Sequence, residues 1–253
     1  MNENVDIFIC THKDFDAPTD SVYKIVCGEG ELNERYDIPV LTDCLGKNPE
    51  TFPKKHGYCE CSKMNFVRRN VHLKDFVGFA HYHRYLDLKV GGELVDIPSL
   101  FSRFDIIIRP GNVVPYSARL LYDACHFIEH LDKAITIGCD MFPDYRCDLL
   151  KLDSVPMILY YNNVFVMRKD DFLSLCDFCF GILSEFDAFY GFKTDADIEK
   201  WVTENIARKT SGDCRIEYQS RVEGFLFERL LSVFVNHNYD IDKIGYVEMV
   251  ENG

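Results

Sequence analysis

Short apolar runs that each stop at a polar loop constrain this chain more than any other feature of it. Val5–Cys10 (VDIFIC) ends abruptly at Thr11-His12-Lys13, and Tyr23–Cys27 ends at Gly28-Glu29-Gly30. Runs this short, closed by such residues, read as buried strands. Phe76–Leu88 (FVGFAHYHRYLDL) reads as a further strand, with His81, His83 and Tyr85 on one face and Tyr82 and Arg84 on the other. Phe104–Ile108, closed by Pro110, is another, and Pro156–Met167 is the longest, interrupted at Asn162-Asn163. The polar, proline-broken stretch reaching Tyr58 reads as mostly loop.

Elsewhere the period is helical. Cys59–Asn70 suits a helix carrying Lys63, Arg68 and Arg69, and Tyr116–Ile137 sets Leu120, Ala124, Phe127, Leu131 and Ala134 at helical spacing. Asp170-Asp171 starts a helix through Tyr190, acid at the positive end of its dipole. Asp195–Lys209 and Arg221–Asn236 are two more, and Ile244–Met249 returns as a last strand. The order predicts an α/β fold: a mixed, mostly parallel sheet flanked by helices, with a helical C-terminal portion. No linker divides the chain, so one domain over residues 1–253 is expected, an α/β half to residue 115 and a more helical half after it. Ligands of open α/β sheets bind at the carboxyl ends of strands, which points to Thr11-His12-Lys13 and the end of the 76–88 strand.

With 47% hydrophobic and 14% aromatic residues the chain can bury a core without a metal or disulfide staple. Its 11 cysteines have no framework spacing, and MNENVDIFIC lacks a basic leader, so a reduced cytoplasm is the expected location. No stretch approaches the ~20 apolar residues of a membrane span. The formal charge of −13 repels nucleic acid and anionic headgroups, which leaves at most peripheral association with the inner face of a membrane. An anionic ligand therefore needs a local pocket where Arg, Lys and His converge.

His81-Tyr82-His83-Arg84-Tyr85 is the densest such string. Tyr and His in a half-buried strand are ordinary cross-strand packers. An Arg at a strand end, however, needs a partner, and a diphosphate offers a bidentate one. His81 and His83 alone make a weak metal signal. His126-Phe127-Ile128-Glu129-His130 matches the H-x-x-E-H pattern of inverted zincins on an expected helix, which makes a zinc-dependent hydrolase using His126, Glu129 and His130 one alternative. A non-catalytic glycan-binding module is another. Asp-x-Asp occurs at Asp14/Asp16, Asp195/Asp197 and Asp240/Asp242, about as often as composition alone gives, so a divalent cofactor, magnesium or manganese, stays open. Cys176-x-x-Cys179 and Cys59-x-Cys61 read as buried or half-buried thiols. A helix from Arg221 aligns Arg221, Gly224, Phe225 and Glu228 on one face; the plain reading is an amphipathic helix with solvated charges.

Four segments in order, IFICTHK (Ile7–Lys13), VGFAHYHRYLDL (Val77–Leu88), YYNNVFVMRKDDF (Tyr160–Phe172) and YQSRVEGFLFERLL (Tyr218–Leu231), resemble a family of bacterial capsular-polysaccharide and cell-surface-glycan glycosyltransferases with an HYRRY-type signature. The resemblance implies a GT-A-like fold and a hexosyltransferase-type transfer from a nucleotide-sugar, such as a UDP-sugar, to a glycan or lipid-linked glycan acceptor. It implies donor contacts from Thr11, His12, Lys13, His81, Tyr82, Arg84, Tyr85, Asn163, Arg221 and Gly224, and His83, inside the same string, is a further candidate. Lys13, His81 and Arg84 would grip the diphosphate, and Glu228, with Asp43 or Glu60 behind it, would take the acceptor's proton. Where the family carries Arg after His-Tyr this chain has His83, which trades a permanent charge for one that depends on pH.

Overall fold

The computed structural model describes residues 2–42, the backbone of Asp43, and residues 56–153 and 157–251. The strands are β1 (Val5–Cys10), β2 (Tyr23–Gly28), β3 (Val40–Asp43), β4 (Phe76–His81), β5 (Arg84–Leu86), the two-residue pair β6 (Lys89–Val90) and β7 (Glu93–Leu94), β8 (Ile106–Ile108), β9 (Asn112–Val114), β10 (Met157–Leu159), β11 (Phe165–Arg168), β12 (Ile244–Tyr246) and β13 (Met249–Glu251). The helices are α1 (Cys61–Asn70), α2 (Ile97–Leu100), α3 (Ala118–Cys125), α4 (Ile128–Met141), α5 (Arg146–Leu150), α6 (Lys169–Tyr190), α7 (Asp195–Asn205), α8 (Ile216–Gln219) and α9 (Val222–Asn238).

The main sheet runs β12-β8-β11-β4-β1-β2-β3. β4, β1, β2 and β3 are parallel, β12 is parallel to β8, and β11 runs against both β8 and β4. This is the mixed, mostly parallel sheet expected, with long helices following in the second half. All six residues of β1 are buried because both faces are covered. Phe8 and Cys10 enter the large core beneath α1, α4, α6 and α9, whereas Val5, Ile7 and Ile9 pack with Ile38, Leu86 and Ile97 on the other side.

Several expected elements divide differently, among them Ile244–Met249, where β12 pairs with β8 and β13 turns away to β5. Phe76–Leu88 is two strands: β4 ends at His81, Tyr82-His83 form a turn, and β5 pairs back through His81 and Arg84. The Tyr82 amide bonds the Cys10 carbonyl and the Tyr85 hydroxyl bonds the Tyr82 carbonyl, which holds the reversal and cancels the strand-face assignment. Tyr116–Ile137 breaks into α3 and α4 at His126-Phe127. There the carbonyls of Asp123 and His126 accept from Lys209 Nζ, that of Ala124 from Ser211 and that of Cys125 from Gln219, so the end of α3 is satisfied from outside the helix. Pro156–Met167 divides at Asn162 and Asn163, both left-handed at φ 71° and 50°, a conformation asparagine tolerates better than most residues. β10 then joins β9 in a separate two-stranded sheet while β11 enters the main one. Finally, β3 lies in the stretch read as loop, of which residues 44–55 fall outside the described residues.

Candidate functional site

β1 and β4 end side by side, Cys10 opposite His81, and because β11 is antiparallel its approach through Asn162 and Asn163 arrives at the same edge. The loop before α1 and the first turns of α9 close over that edge, with the Gly224 amide donating to the Gly57 carbonyl. Between them lies a cleft of about 710 Å³, lined by Thr11, His12, Glu31, Glu60, Lys63, His81, Tyr82, His83, Arg84, Asn162, Arg221 and Glu228, among others. A second groove of about 440 Å³ continues from it and shares Glu60, Arg84, Asn162, Arg221 and Glu228.

Nine of the residues expected from sequence line the first cleft: Thr11, His12, His81, Tyr82, His83, Arg84, Arg221, Glu60 and Glu228. Thr11 shapes the loop, its hydroxyl donating to the Lys13 carbonyl and accepting from the Lys13 amide. Lys13 does not line the cleft; its ammonium sits 4.9 Å from the Tyr82 ring, at the rim. Tyr85 is turned into the core on the far side of the sheet, edge-on to Tyr23, and is not at the cleft. Asn163 is fully buried and serves Glu60, its amide nitrogen 2.8 Å from Oε1. Gly224 is a packing position: a Cβ there would stand 2.7 Å from Cys59 Sγ. The side chain of Asp43 lies outside the described residues.

The two carboxylates of the cleft differ in kind. Burial by itself would raise the Glu60 carboxyl, but His81 at 3.4 Å and the Asn163 amide hold it down at about 2. So acidic a group is a poor proton acceptor near neutrality. Burial likewise disfavours a charged His81, yet Glu60 outweighs it and raises the imidazole above its ordinary value. Each favours the charged form of the other, so a protonated His81 faces Glu60 and is not free for a diphosphate. Glu228 is different: burial pushes it above the usual carboxylate range, against the pull of Arg229 and the Asn162 amide, which bond its two oxygens at 2.9 Å each.

The cations of the cleft come partly from residues that the sequence motifs did not single out. Lys63 stands in the first turn of α1, 3.6 Å from Glu31, and Arg221, which precedes α9, donates through Nε to Cys59 Sγ at 3.0 Å and has no carboxylate partner among the described residues. Cys59 is itself left-handed at φ 51° and its thiol is pushed up to about 12 by burial, so it meets the guanidinium as a neutral acceptor. Lys63 had been visible only as one of a basic trio; which of the three faces the cleft depends on how α1 meets the sheet. Arg84 bonds Glu251 and the Asn162 side chain. His12 and His83 are both lowered, first by burial and then by neighbouring cations, Lys63 for His12 and Arg84 with His81 for His83, so both are neutral at pH 7.

The zinc reading does not survive. His126 closes α3 and His130 opens α4, so the two imidazoles are not one turn apart on a continuous helix. Each is buried among aromatic rings and lowered to about 3, and Glu129 pairs with Arg208. Among the described residues no group of three or more His, Cys, Asp or Glu side chains is placed to hold a metal ion. Asp14 is taken up by the Asn33 and Glu34 amides and the Tyr36 hydroxyl, and Asp195 and Asp197 by amides around 56–57 and 193–194. Asp14, Asp195 and Asp197 are thus engaged by the protein's own amides and hydroxyl groups.

Residues 6–206 match a domain family described as a domain of unknown function, DUF4422. No curated protein matches the chain. Among solved structures, the apo structure of WbbM, a bifunctional glycosyltransferase, shares its fold with a TM-score of 0.69 at 20% identity, over 98% of this chain and 45% of that one. The likeness establishes the fold, and this chain spans less than half the length of that protein.

Proposed function

This chain belongs to the DUF4422 family, whose description assigns no activity, and from the chemistry of its cleft we propose that it is a glycosyltransferase using a nucleotide-sugar donor. The observation that carries the reading is that Lys63, Arg221 and Arg84 line one cleft with Glu228, a carboxylate of raised pKa, at the carboxyl edge of the sheet of a protein carrying a net −13, and that Lys63 and Arg84 rest on the solvent-accessible Glu31 and Glu251, which a diphosphate can displace. A diphosphate is the ligand such a set of donors suits.

In this mechanism the acceptor hydroxyl gives its proton to Glu228 as its oxygen bonds the anomeric carbon. The bond from that carbon to the diphosphate oxygen breaks, and its electron pair leaves with the nucleoside diphosphate. Lys63, Arg221 and Arg84 stabilise the charge that grows there. The Glu60–His81 pair, anchored by Asn163, keeps the edges of β4 and α1 in register beneath them. We assign the donor to the UDP-sugars and the acceptor to a glycan or lipid-linked glycan of a cell-surface polysaccharide, assembled in the cytoplasm with at most peripheral contact with the membrane. Among the described residues no helix is long and apolar enough to cross one.

The test is to incubate the purified protein with a panel of nucleotide sugars and measure released nucleotide, then repeat with Glu228→Gln. Release by at least one donor is expected, with kcat down about 10²–10⁴-fold in the variant and donor KM nearly unchanged. If no nucleotide sugar is turned over and no nucleoside diphosphate binds, the protein is not a transferase of this kind.

A further inference from the structure

The groove that extends from the cleft on the far side of Glu228 differs in character from the part holding Lys63 and Thr11. Its own walls, which the first cleft does not share, include Cys125, His126, Tyr161, Tyr218, Phe225 and the Arg229 guanidinium. His126 and Phe225 are stacked at 3.8 Å and Tyr218 lies 5.0 Å from Phe225, so one wall is a fixed bank of rings. Tyr161 faces the same space with its ring held 5.5 Å from the Arg229 guanidinium. Tyr161 and Tyr218 are half-exposed while Phe225 and His126 are buried, so the rings a ligand would meet are the two tyrosines, backed by the rigid pair.

We propose that this groove binds the acceptor as a neutral hexopyranoside, its ring against Tyr161 and Tyr218 and the reacting hydroxyl at Glu228. The inference rests on the transferase reading above and adds the second substrate's place and class. Three features point to a neutral sugar. A pyranose presents apolar C–H faces that suit aromatic walls and a rim of hydroxyls that suits tyrosine O–H groups. His126 is uncharged, and the Arg229 guanidinium is already neutralised by Glu228 at 2.9 Å, so this groove lacks the uncompensated cation an anionic acceptor would need beyond Arg221 at the shared border. Glu228 lines both spaces, which sets a carboxylate of raised pKa where a hydroxyl from this side and an anomeric carbon from the other would meet.

The experiment compares wild type with Tyr161→Ala and Tyr218→Ala, using the donor active in the nucleotide-release assay and methyl or p-nitrophenyl hexosides as acceptors. KM for the hexoside is expected to rise about tenfold or more in each variant and several-fold more than donor KM, which can shift in Tyr218→Ala because the Arg221 guanidinium lies 6.0 Å from that ring. Tyr161→Phe, which keeps the ring, is expected to retain most of the affinity and guards against a folding defect. Donor KM rising as much as hexoside KM, or hexoside KM unmoved, overturns the groove as the acceptor site. Wild type that hydrolyses donor but transfers to no neutral hexoside, while a uronic acid glycoside accepts, overturns the neutral class. Wild type that neither binds nor hydrolyses any donor instead removes the transferase reading on which all of this stands.

Discussion

His83 occupies the turn between β4 and β5, its ring 4.4 Å from Tyr82, at a position where an arginine would place a permanent charge on the wall of the cleft. Burial lowers its pKa below 6.5, and the Arg84 and His81 charges lower it further. At pH 7 it is therefore neutral, and it gains a proton only as the pH falls below 6.5. Because a cation there favours a diphosphate, the bound donor and the proton support each other: KM for the donor should fall as pH drops through this range. His83→Arg should lower KM at pH 7 by about tenfold, the effect of one charge-assisted contact of about 1.4 kcal/mol, and leave it flat between pH 5.5 and 7.5. An unchanged KM in the variant, with the wild-type slope persisting, would mean that His12, which is also lowered, carries the titration instead.

At the scale of elements, the site depends on how closely α9 approaches the loop before α1. Gly224 donates to the Gly57 carbonyl and meets the Cys59 side chain, and Cys59 adopts a left-handed backbone to allow the contact. That approach delivers both Arg221 and Glu228 to the edge of the sheet. Gly224→Ala forces the sulfur aside and should destabilise the fold by about 1–3 kcal/mol. Cys59→Gly removes the obstruction and relieves about 1 kcal/mol of backbone strain while surrendering the acceptor of Arg221 Nε. In the double variant part of the Gly224→Ala loss should return, giving a coupling of at least about 0.5 kcal/mol in a denaturation cycle; strict additivity would show that the two groups do not press on each other. Neighbouring elements show what sequence can and cannot reveal. β1, β2, α6 and α9 were legible because their apolar periods are unbroken and their ends are marked by glycine, acid or polar loops. The turn inside His81–Tyr85 was not, since its residues suit a strand equally well and the reversal is held by the Cys10 carbonyl, far away in sequence. The division of α3 from α4 is imposed by Lys209, Ser211 and Gln219, and the part played by Lys63 by the angle of α1, so neither has a local signal.

For the molecule as a whole, the buried histidines set how it responds to acid. His130 is enclosed by Phe127, Phe186, Tyr190, Phe192 and Trp201, and burial, with a smaller push from Arg208, lowers it to about 3; His126 is lowered to about 3 as well, by burial and then by Arg229 and Lys209. In the unfolded chain both take up a proton near 6.5. Between pH 6.5 and about 3 the unfolded state therefore holds more protons, and stability falls as pH falls, by about 1.4 kcal/mol per pH unit for each imidazole. His81 acts in a different window: its raised value means its contribution is complete below 6.5 and fades as pH rises through its folded pKa, so it does not soften the acid limb. Glu60, held at about 2, keeps its contribution above 4.5 and loses it only as pH falls toward 2. The acid sensitivity from pH 6.5 to 4.5 thus belongs chiefly to these two deeply buried histidines, with smaller shares from His12 and His83, which are lowered as well, and an opposing share from Glu228 and Asp171, whose carboxyls are raised. His130→Phe retains the aromatic packing, removes one of the two, and discards a buried ring nitrogen with no hydrogen-bond partner among the described residues. At pH 7 the variant should be at least as stable as wild type, and at pH 5 about 2 kcal/mol more stable relative to it, read from urea midpoints at the two pH values with unchanged m. Equal losses in both proteins between pH 7 and pH 5 would show that His130 is already protonated in the folded state, which would require a partner inside that ring of aromatics and a different account of why α3 and α4 part where they do.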